Sequence, residues 1–572
     1  TFTNKAAKEM KERLVKMHAL GSDVEMTTFH SHCNRFMRDY ADLVGRSSNY
    51  SIYDTSEQTG VIRFIIKEHK EIFDKMEGSA DFNIKKFMTR LGNIKDHTSA
   101  MDIDTDVMVA QRLITQAEAL LINEYENKLR INNAVDFADL IRYTVAIMDA
   151  MPDTVVPKKF IMVDEMQDTN ANQYRIISHY ARKGILYGVG DADQTIYSWR
   201  GAMPENMEKF MEDFGATVVK LESNYRSTPN IVDGANHLIR KNIQRFDKKM
   251  VPMRTQNAPI VQIQCANMDH EAQFTAKHIK KVLAANDKAK VGILYRQNRY
   301  SRKIEMALRA NGIPYYMYKG MDFASRREIA GAISVLRFIA NKKDYIALSD
   351  ILLRYANGLG EASVYKIIHY LEHNTHEDPF NVSDSTPLTG MRKHAFDAIM
   401  AWLFNFAAAA PEKVHEVLLN QQSIDLFTTI SGDNEYMQED RIENMHELSQ
   451  WMHRFFKENP GSSLLDFVQE ACLDASSVNE PDDANVHLLT CHSAKGLEFS
   501  HVFILGCSDN LFPGKFEGDD ELEEQRRLFY VALTRGMDVV HLLSPQKNYL
   551  SNTFPSRFLK EIPDQYKLKK QL

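Results

Sequence analysis

Two adjacent carboxylates, Asp164 and Glu165, end an apolar run, Phe160–Val163. Residues of this type at this spacing can divide a hydrolytic task. One acid holds a hard cation such as Mg²⁺, through oxygen or bound water. The other orients and deprotonates an attacking water. The run itself reads as a strand buried in a parallel sheet, because apolar residues stand at consecutive positions and charge bounds them. Open α/β sheets bind ligands at the carboxyl ends of their strands, where these acids sit. A strand capped by two solvated acids fits the same residues, so the decision lies elsewhere in the chain.

A second unit of the same form follows. Residues 185–189 read as a strand that runs into Asp191, Asp193 and Gln194, then Tyr197, Trp199 and Arg200. Gln194 is a neutral group able to hold a water or a phosphate oxygen. Tyr197 and Trp199 offer ring faces on which bases could stack, although most tryptophans fill core. Residues 218–221 read as a third strand leading to Tyr225 and Arg226. An arginine at such an edge can reach a terminal phosphate, and it can equally be a surface arginine.

The elements that must position these groups need several cores, since 572 residues exceed a single one. An apolar fraction of 44% and a charged fraction of 26% are those of a soluble globular protein. No apolar run reaches the ~18–20 residues of a membrane span. The five cysteines are scattered, without zinc-ligand spacing, and read as reduced thiols in the cytoplasm. A formal charge of −7 excludes a globally basic nucleic-acid binder but not a local basic groove.

Along the chain, Thr3 and Asn4 could cap a helix from Lys5 to about Leu20, and Met26 to Ser31 reads as a short β-like run before a helix carrying Arg35 and Arg38. Phe2, Phe29 and His30 offer further ring faces; core filling is the ordinary alternative for each. Residues 50–135 read as helical without strong strand signals. A new α/β unit begins near Ile260, with a strand at 291–295 that ends in Arg296, Gln297 and Asn298. Residues 329–478 are again mostly helical and contain Gly358-Leu359-Gly360, a turn that lets backbone approach a phosphate closely. Two further strands, 486–489 and 501–507, flank His492, Lys495 and Glu498, and a helix at 525–535 ends in Arg535.

Taken in order, these segments resemble superfamily 1 DNA helicases of the UvrD/PcrA/Rep family. TFTNKAAKEMKER and TFHSHCNRF resemble motifs Ia and Ib, and DFADL the small motif after them. VDEMQDTNANQ resembles motif II, with Met166 where Phe is usual; VGDADQTIYSWRGA resembles motif III and LESNYRST motif IV. ILYRQNRYSRKIE resembles motif IVa, LLTCHSAKGLEFSHVFILG motif V, and EEQRRLFYVALTRG motif VI, with Gly536 where Ala is usual and Cys491 where Val is common. The family's adenine-reading glutamine and Walker A loop, GxxxxGK[ST], do not occur in these residues, and the chain begins at motif Ia. The expectation is a truncated record of an active ATPase, inactive by itself.

The resemblance implies an α/β fold of two RecA-like parallel-sheet domains, each with a mostly helical inserted subdomain. The first domain is expected at 1–50 and 131–228 with its insertion at 51–130, and the second at 229–328 and 481–572 with its insertion at 329–480. The implied activity is an ATP-dependent 3′–5′ DNA helicase in DNA repair or replication, with ATP and Mg²⁺ as cofactors. Asp164 would hold the metal, Glu165 act as base, and Gln194 sense the γ-phosphate. Arg226 and Arg535 would reach it as the cleft closes. Tyr225 would stack on adenine, and Glu498 would bond the ribose or help join the site to DNA. Single-stranded DNA would meet Phe2, His30, Tyr197, Trp199, Asn298 and His492. Lys495 and Arg200 would make phosphate or interdomain contacts, and Gly358 and Gly360 grip duplex at a junction. The partners expected are DNA and repair or replication proteins, with no membrane; monomer and dimer both fit. Two competing readings are a DNA-binding scaffold without catalysis and the helicase part of a recombination helicase–nuclease. The latter needs a nuclease domain after motif VI, and the tail past Arg535 has no acidic nuclease cluster.

Overall fold

The computed structural model describes residues 1, 4–18, 21, 23–71, 73, 83–197, 201–243, 245–318, 326–386, 388–428, 435–473, 484–516, 518–547 and 552–571. Phe2, Trp199 and Arg200 lie outside them. The strands in chain order are β1 (Ser51–Tyr53), β2 (Ala134–Asp136), β3 (Phe160–Val163), β4 (Ile185–Gly188), β5 (Ser223–Asn224), β6 (Val251–Pro252) and β7 (Ile260–Cys265). They continue with β8 (Val291–Tyr295), β9 (Tyr316–Met317), β10 (Val486–Thr490), β11 (Phe499–Ile504), β12 (Gly536–Pro545) and β13 (Lys567–Gln571).

A strand without a polar position is stable when both faces are covered, and β8 is buried at every residue. It lies inside a seven-stranded parallel sheet of order β13-β7-β12-β11-β8-β10-β9. Val291, Ile293 and Tyr295 face the helices Met268–Ala285 and Ser301–Ala310. Leu294 faces the other way, toward Pro229–Ile239 and Gly518–Leu533. Gly292 gives the Phe499 ring room; a Cβ there would come within 2.5 Å of it.

The first α/β region is smaller. β3 pairs in parallel with β4, and β1 with β2. The expected burial of Phe160–Val163 holds on one face only. Ile161 and Val163 pack with Tyr174, Ile177 and Phe210, whereas Phe160 is 59% and Met162 77% exposed. Side chains alternate across a strand, and the helices Ala171–Ala181 and Glu205–Phe214 cover a single side.

Other expectations shift as well. Residues 25–28 form no strand, and Thr28, itself extended, caps the helix Phe29–Asp39 by accepting from the Ser31 N–H. Residues 218–221 form no strand. Val218, Val219 and Leu221 are exposed, and among the described residues no strand pairs with them before β5. The stretch expected to be helical without strands opens on β1, whose three residues are buried, before the helices Thr55–Glu68, Ile84–His97, Thr105–Ala110 and Gln116–Ile131. Capping boxes at Asp54, Thr115, Asp136 and Asn170 start four helices of this region.

A second helical block runs from Arg327–Ala340 to Leu464–Leu473 around Trp402, Phe338 and Phe406. It leaves the second sheet after β9 and returns at β10, and it docks on the first region. Arg337 pairs with Glu57 at 2.5 Å and with Asp344 at 2.8 Å, and the Tyr53 hydroxyl donates to Asp344 at 2.9 Å. Asn341 donates to the Ser51 hydroxyl and to the Asn132 and Asn133 carbonyls. Among the described residues, no helix is long and apolar enough to cross a membrane.

Candidate nucleotide and nucleic-acid site

The acids at the end of β3 are held by the strand pair itself. The Val189 N–H donates to Val163 O at 2.8 Å and the Met166 N–H to Val189 O at 2.9 Å, so the two strand ends are stitched together. Between those bonds Glu165 takes the left-handed conformation, φ 55° and ψ 43°. A non-glycine residue there costs about 1–3 kcal/mol, and such strain clusters at functional sites. Gln167, fully buried, donates to Glu165 Oε2 at 2.5 Å and accepts from the Asp191 N–H at 2.9 Å. It orients the base candidate and joins the two acid loops. The sequence reading passed over Gln167; its place between Glu165 and Asp168 was the only signal.

Asp164 and Glu165 are half-buried, with Asp168 buried beside them. Burial pushes the Asp168 carboxyl up to about 6 even though Lys495 pairs with it. Carboxylate oxygens with water access are the donor set Mg²⁺ prefers, so Asp164 fits the metal role expected of it. A second group with ligand-like spacing, Glu68, His369 and Glu372, is already served by an ammonium. Lys128 donates to Glu68 at 2.8 Å and Glu372 at 2.6 Å.

Across the cleft, the second region contributes cations. Gln194 donates to Asp191 at 2.8 Å and accepts from Arg535 at 3.4 Å. Arg535 is 3% exposed, and its other bonds go to the Val531 and Leu497 carbonyls and the Thr534 hydroxyl. Burial first, then Arg226, bring its pKa down to about 10. A guanidinium buried on neutral oxygens favours an incoming anion. Arg226 pairs with Glu498 at 2.6 Å, and both are partly exposed. Tyr225 beside it is 73% exposed. Arg245 on Asp193 and Lys248 on Asp191 tie the segment after the helix Pro229–Ile239 to the same acid loop; the sequence reading did not single out either.

Lys495 connects the two sides. Its ammonium reaches Asp168, donates to Gln194 O at 2.9 Å, and lies 3.5 Å from Glu165. It also sits over the Tyr197 ring, 5.5 Å from the centroid. The Tyr197 hydroxyl donates to His492 O at 3.4 Å, with the two rings tilted at 6.4 Å. The structure thus brings Asp164, Glu165, Gln194, Arg226, Arg535, Glu498, Lys495, Tyr197 and His492 to one junction. His30 stands apart, edge-on to Phe137 at 5.7 Å. Asn298 is exposed on the turn Asn298–Tyr300. Gly358 (φ 91°) and Gly360 lie on the second helical block with open space where a Cβ would stand.

Two family models divide the chain. Residues 1–215 match the UvrD/REP helicase N-terminal domain, and residues 219–542 match the UvrD-like helicase C-terminal domain. The chain belongs to the UvrD/REP helicase family. Its two parallel-sheet regions with helical insertions are the family's RecA-like α/β fold. The ATP-dependent DNA helicase PcrA of Staphylococcus epidermidis is 35% identical over 593 residues, covering 99% of this chain and 79% of that protein. PcrA of Staphylococcus aureus is 35% identical over 594 residues with the same coverage.

Proposed function

We propose that this UvrD-type helicase is an ATP-dependent DNA helicase that couples Mg²⁺-assisted ATP hydrolysis to 3′–5′ movement on single-stranded DNA, opening duplex at a junction during repair or replication. The observation that carries the reading is the Lys495 junction, where residues of the acid loops, the buried Arg535 and the ring pair Tyr197–His492 meet. Asp164 holds the metal and Glu165, oriented by Gln167, takes the proton of the attacking water. Gln194 and Arg535 contact the terminal phosphate; Arg226 joins them by releasing Glu498, which then serves the ribose. Charge placed this way stabilises the transition state only when the cleft is closed. Tyr225 stacks on adenine. Tyr197, His492, His30 and Asn298 meet the single strand, Trp199 and Phe2 being expected to join them by their resemblance to the family's motifs, and Gly358 and Gly360 hold the duplex.

The domain division expected from the sequence is part of the proposal. It is supported by core clusters centred in the two helical blocks and in the two α/β regions, with Ile196, Ile346 and Phe64 packing across between them. The 3′–5′ direction rests on the resemblance to the family.

The test is ATP hydrolysis with and without single-stranded DNA, together with displacement of duplexes bearing a 3′ or a 5′ tail. These residues contain no GxxxxGK[ST] loop, so turnover is expected only when such a segment is supplied. Strand displacement from 5′ tails alone, or no DNA stimulation in the supplemented protein, would sink the reading.

A further inference from the structure

Glu271 is 1% exposed in the first turn of the helix Met268–Ala285. No cation pairs with it among the described residues. Its oxygens have one donor each: the Tyr300 hydroxyl at 2.6 Å and the Gly506 N–H at 2.9 Å. The donors belong to different elements. Tyr300 closes the turn Asn298–Tyr300 between β8 and the helix Ser301–Ala310. Gly506 is the bend after β11, left-handed at φ 69°, where a Cβ would come within 3.0 Å of the Tyr300 ring. Helix, turn and bend therefore interlock around one carboxyl. A buried acid is costlier than an apolar residue of similar size, so packing alone does not account for it.

The clamp holds the far end of the turn. The Tyr300 N–H donates to Gln297 O at 3.0 Å, and Gln297 and Asn298 are exposed while Tyr300 is buried. We infer that Glu271 is a positioning residue for single-stranded nucleic acid: by locking Tyr300 it holds the Gln297–Asn298 edge ready to hydrogen-bond the strand. An edge fixed beforehand loses less conformational freedom on binding. The inference rests on the single-strand reading above.

Burial pushes Glu271 up to about 8. The titratable groups facing it are Tyr300, Cys265 and Cys507; burial holds all three above their usual range, Cys265 at about 12. Between pH 6 and 8 only Glu271 of this cluster titrates. Opening the clamp to water returns the carboxyl to its ordinary value of 4.5, so opening grows easier as the pH rises toward 8.

The experiment measures binding of a fluorescent oligo-dT by anisotropy, with the whole chain. Tyr300→Phe, which removes one of the clamp's two hydrogen bonds, is expected to weaken binding about three- to tenfold, and Glu271→Ala, which removes both, at least as much. Asn298→Ala is expected to do the same. Glu271→Gln, which can still accept from Gly506 and donate to Tyr300, is expected to bind like the parent at pH 6. The parent's affinity then falls relative to Glu271→Gln as the pH is raised to 8. Tyr300→Phe keeps the test alive should Glu271→Ala not fold, because it deletes only a hydroxyl. Parental affinity in Tyr300→Phe, or in Asn298→Ala, overturns the inference. Tyr197→Ala separates the two levels: if it weakens binding while Tyr300→Phe does not, only the clamp fails. If the chain does not bind oligo-dT, the single-strand reading fails with it.

Discussion

β8 and β3 are both short apolar strands that end at polar residues, yet one is buried throughout and the other shows alternate residues to solvent. Each fully covered Val, Leu or Ile contributes about 1.5–3 kcal/mol, so the second sheet draws on its whole side-chain set. β3 draws on one face, and beyond its end the backbone carries a left-handed glutamate. The difference assigns roles. The seven-stranded sheet is a covered frame whose connecting segments carry Arg535, Lys495 and Asn298, next to β12, β10 and β8. The first region carries the acids on loops whose geometry depends on cross-ties: Arg245 to Asp193, Lys248 to Asp191, Lys495 to Asp168.

The largest effect that sharpens this contrast is chemical. Glu165→Gln, in a chain supplied with the phosphate loop, is expected to lower turnover by about 10²–10⁴-fold while nucleotide binding is kept. Near-normal turnover in a DNA-stimulated assay would remove the base role. On stability, Leu294→Ala in β8 is expected to cost about 2–5 kcal/mol in urea unfolding. Phe160→Ala in β3 is expected to stay within about 0.5 kcal/mol. Equal losses would mean that the uncovered face of β3 is not exposed in solution.

The frame also carries a titration. His541 stacks on Phe503 at 4.4 Å, and burial, with His278 and His501 nearby, brings it from 6.5 down to about 3. Above pH 6.5 both folded and unfolded states are neutral and nothing changes. As the pH falls from 6.5 toward 3 the unfolded chain takes a proton that the folded one refuses. His541 then removes about 1.4 kcal/mol of stability per pH unit. His541→Phe should flatten that slope in acid unfolding. A further effect lies between the regions. A double-mutant cycle of Lys495→Met and Asp168→Asn is expected to show a coupling of about 0.5–3 kcal/mol; additive losses would mean that the ammonium does not tie the regions together.

Much of this was legible from local pattern. Asp136 and Asn170 announce their helices by type and by the residue three positions on. The apolar run at 291–295 announces a covered strand. The acids after β3 and β4 were found where strand ends place them. The coil at 218–221 was not legible, because its valines match a strand, and whether such a run pairs depends on segments distant in the chain. Nor was the hold of Gln167 on Glu165, which depends on how two loops meet.

By itself the sequence determined which residue types stand at the strand ends, in what order, and where most helices begin. Periodicity and capping act within a few residues, so they can be read along the chain. The tertiary structure decided which face of β3 is covered, that Lys495 turns inward onto Asp168, and that the second helical block rests on Tyr53 and Glu57. Those choices join residues far apart, 327 positions for Lys495 and Asp168. A buried charge takes whichever partner the fold brings within reach, and no local pattern encodes that partner.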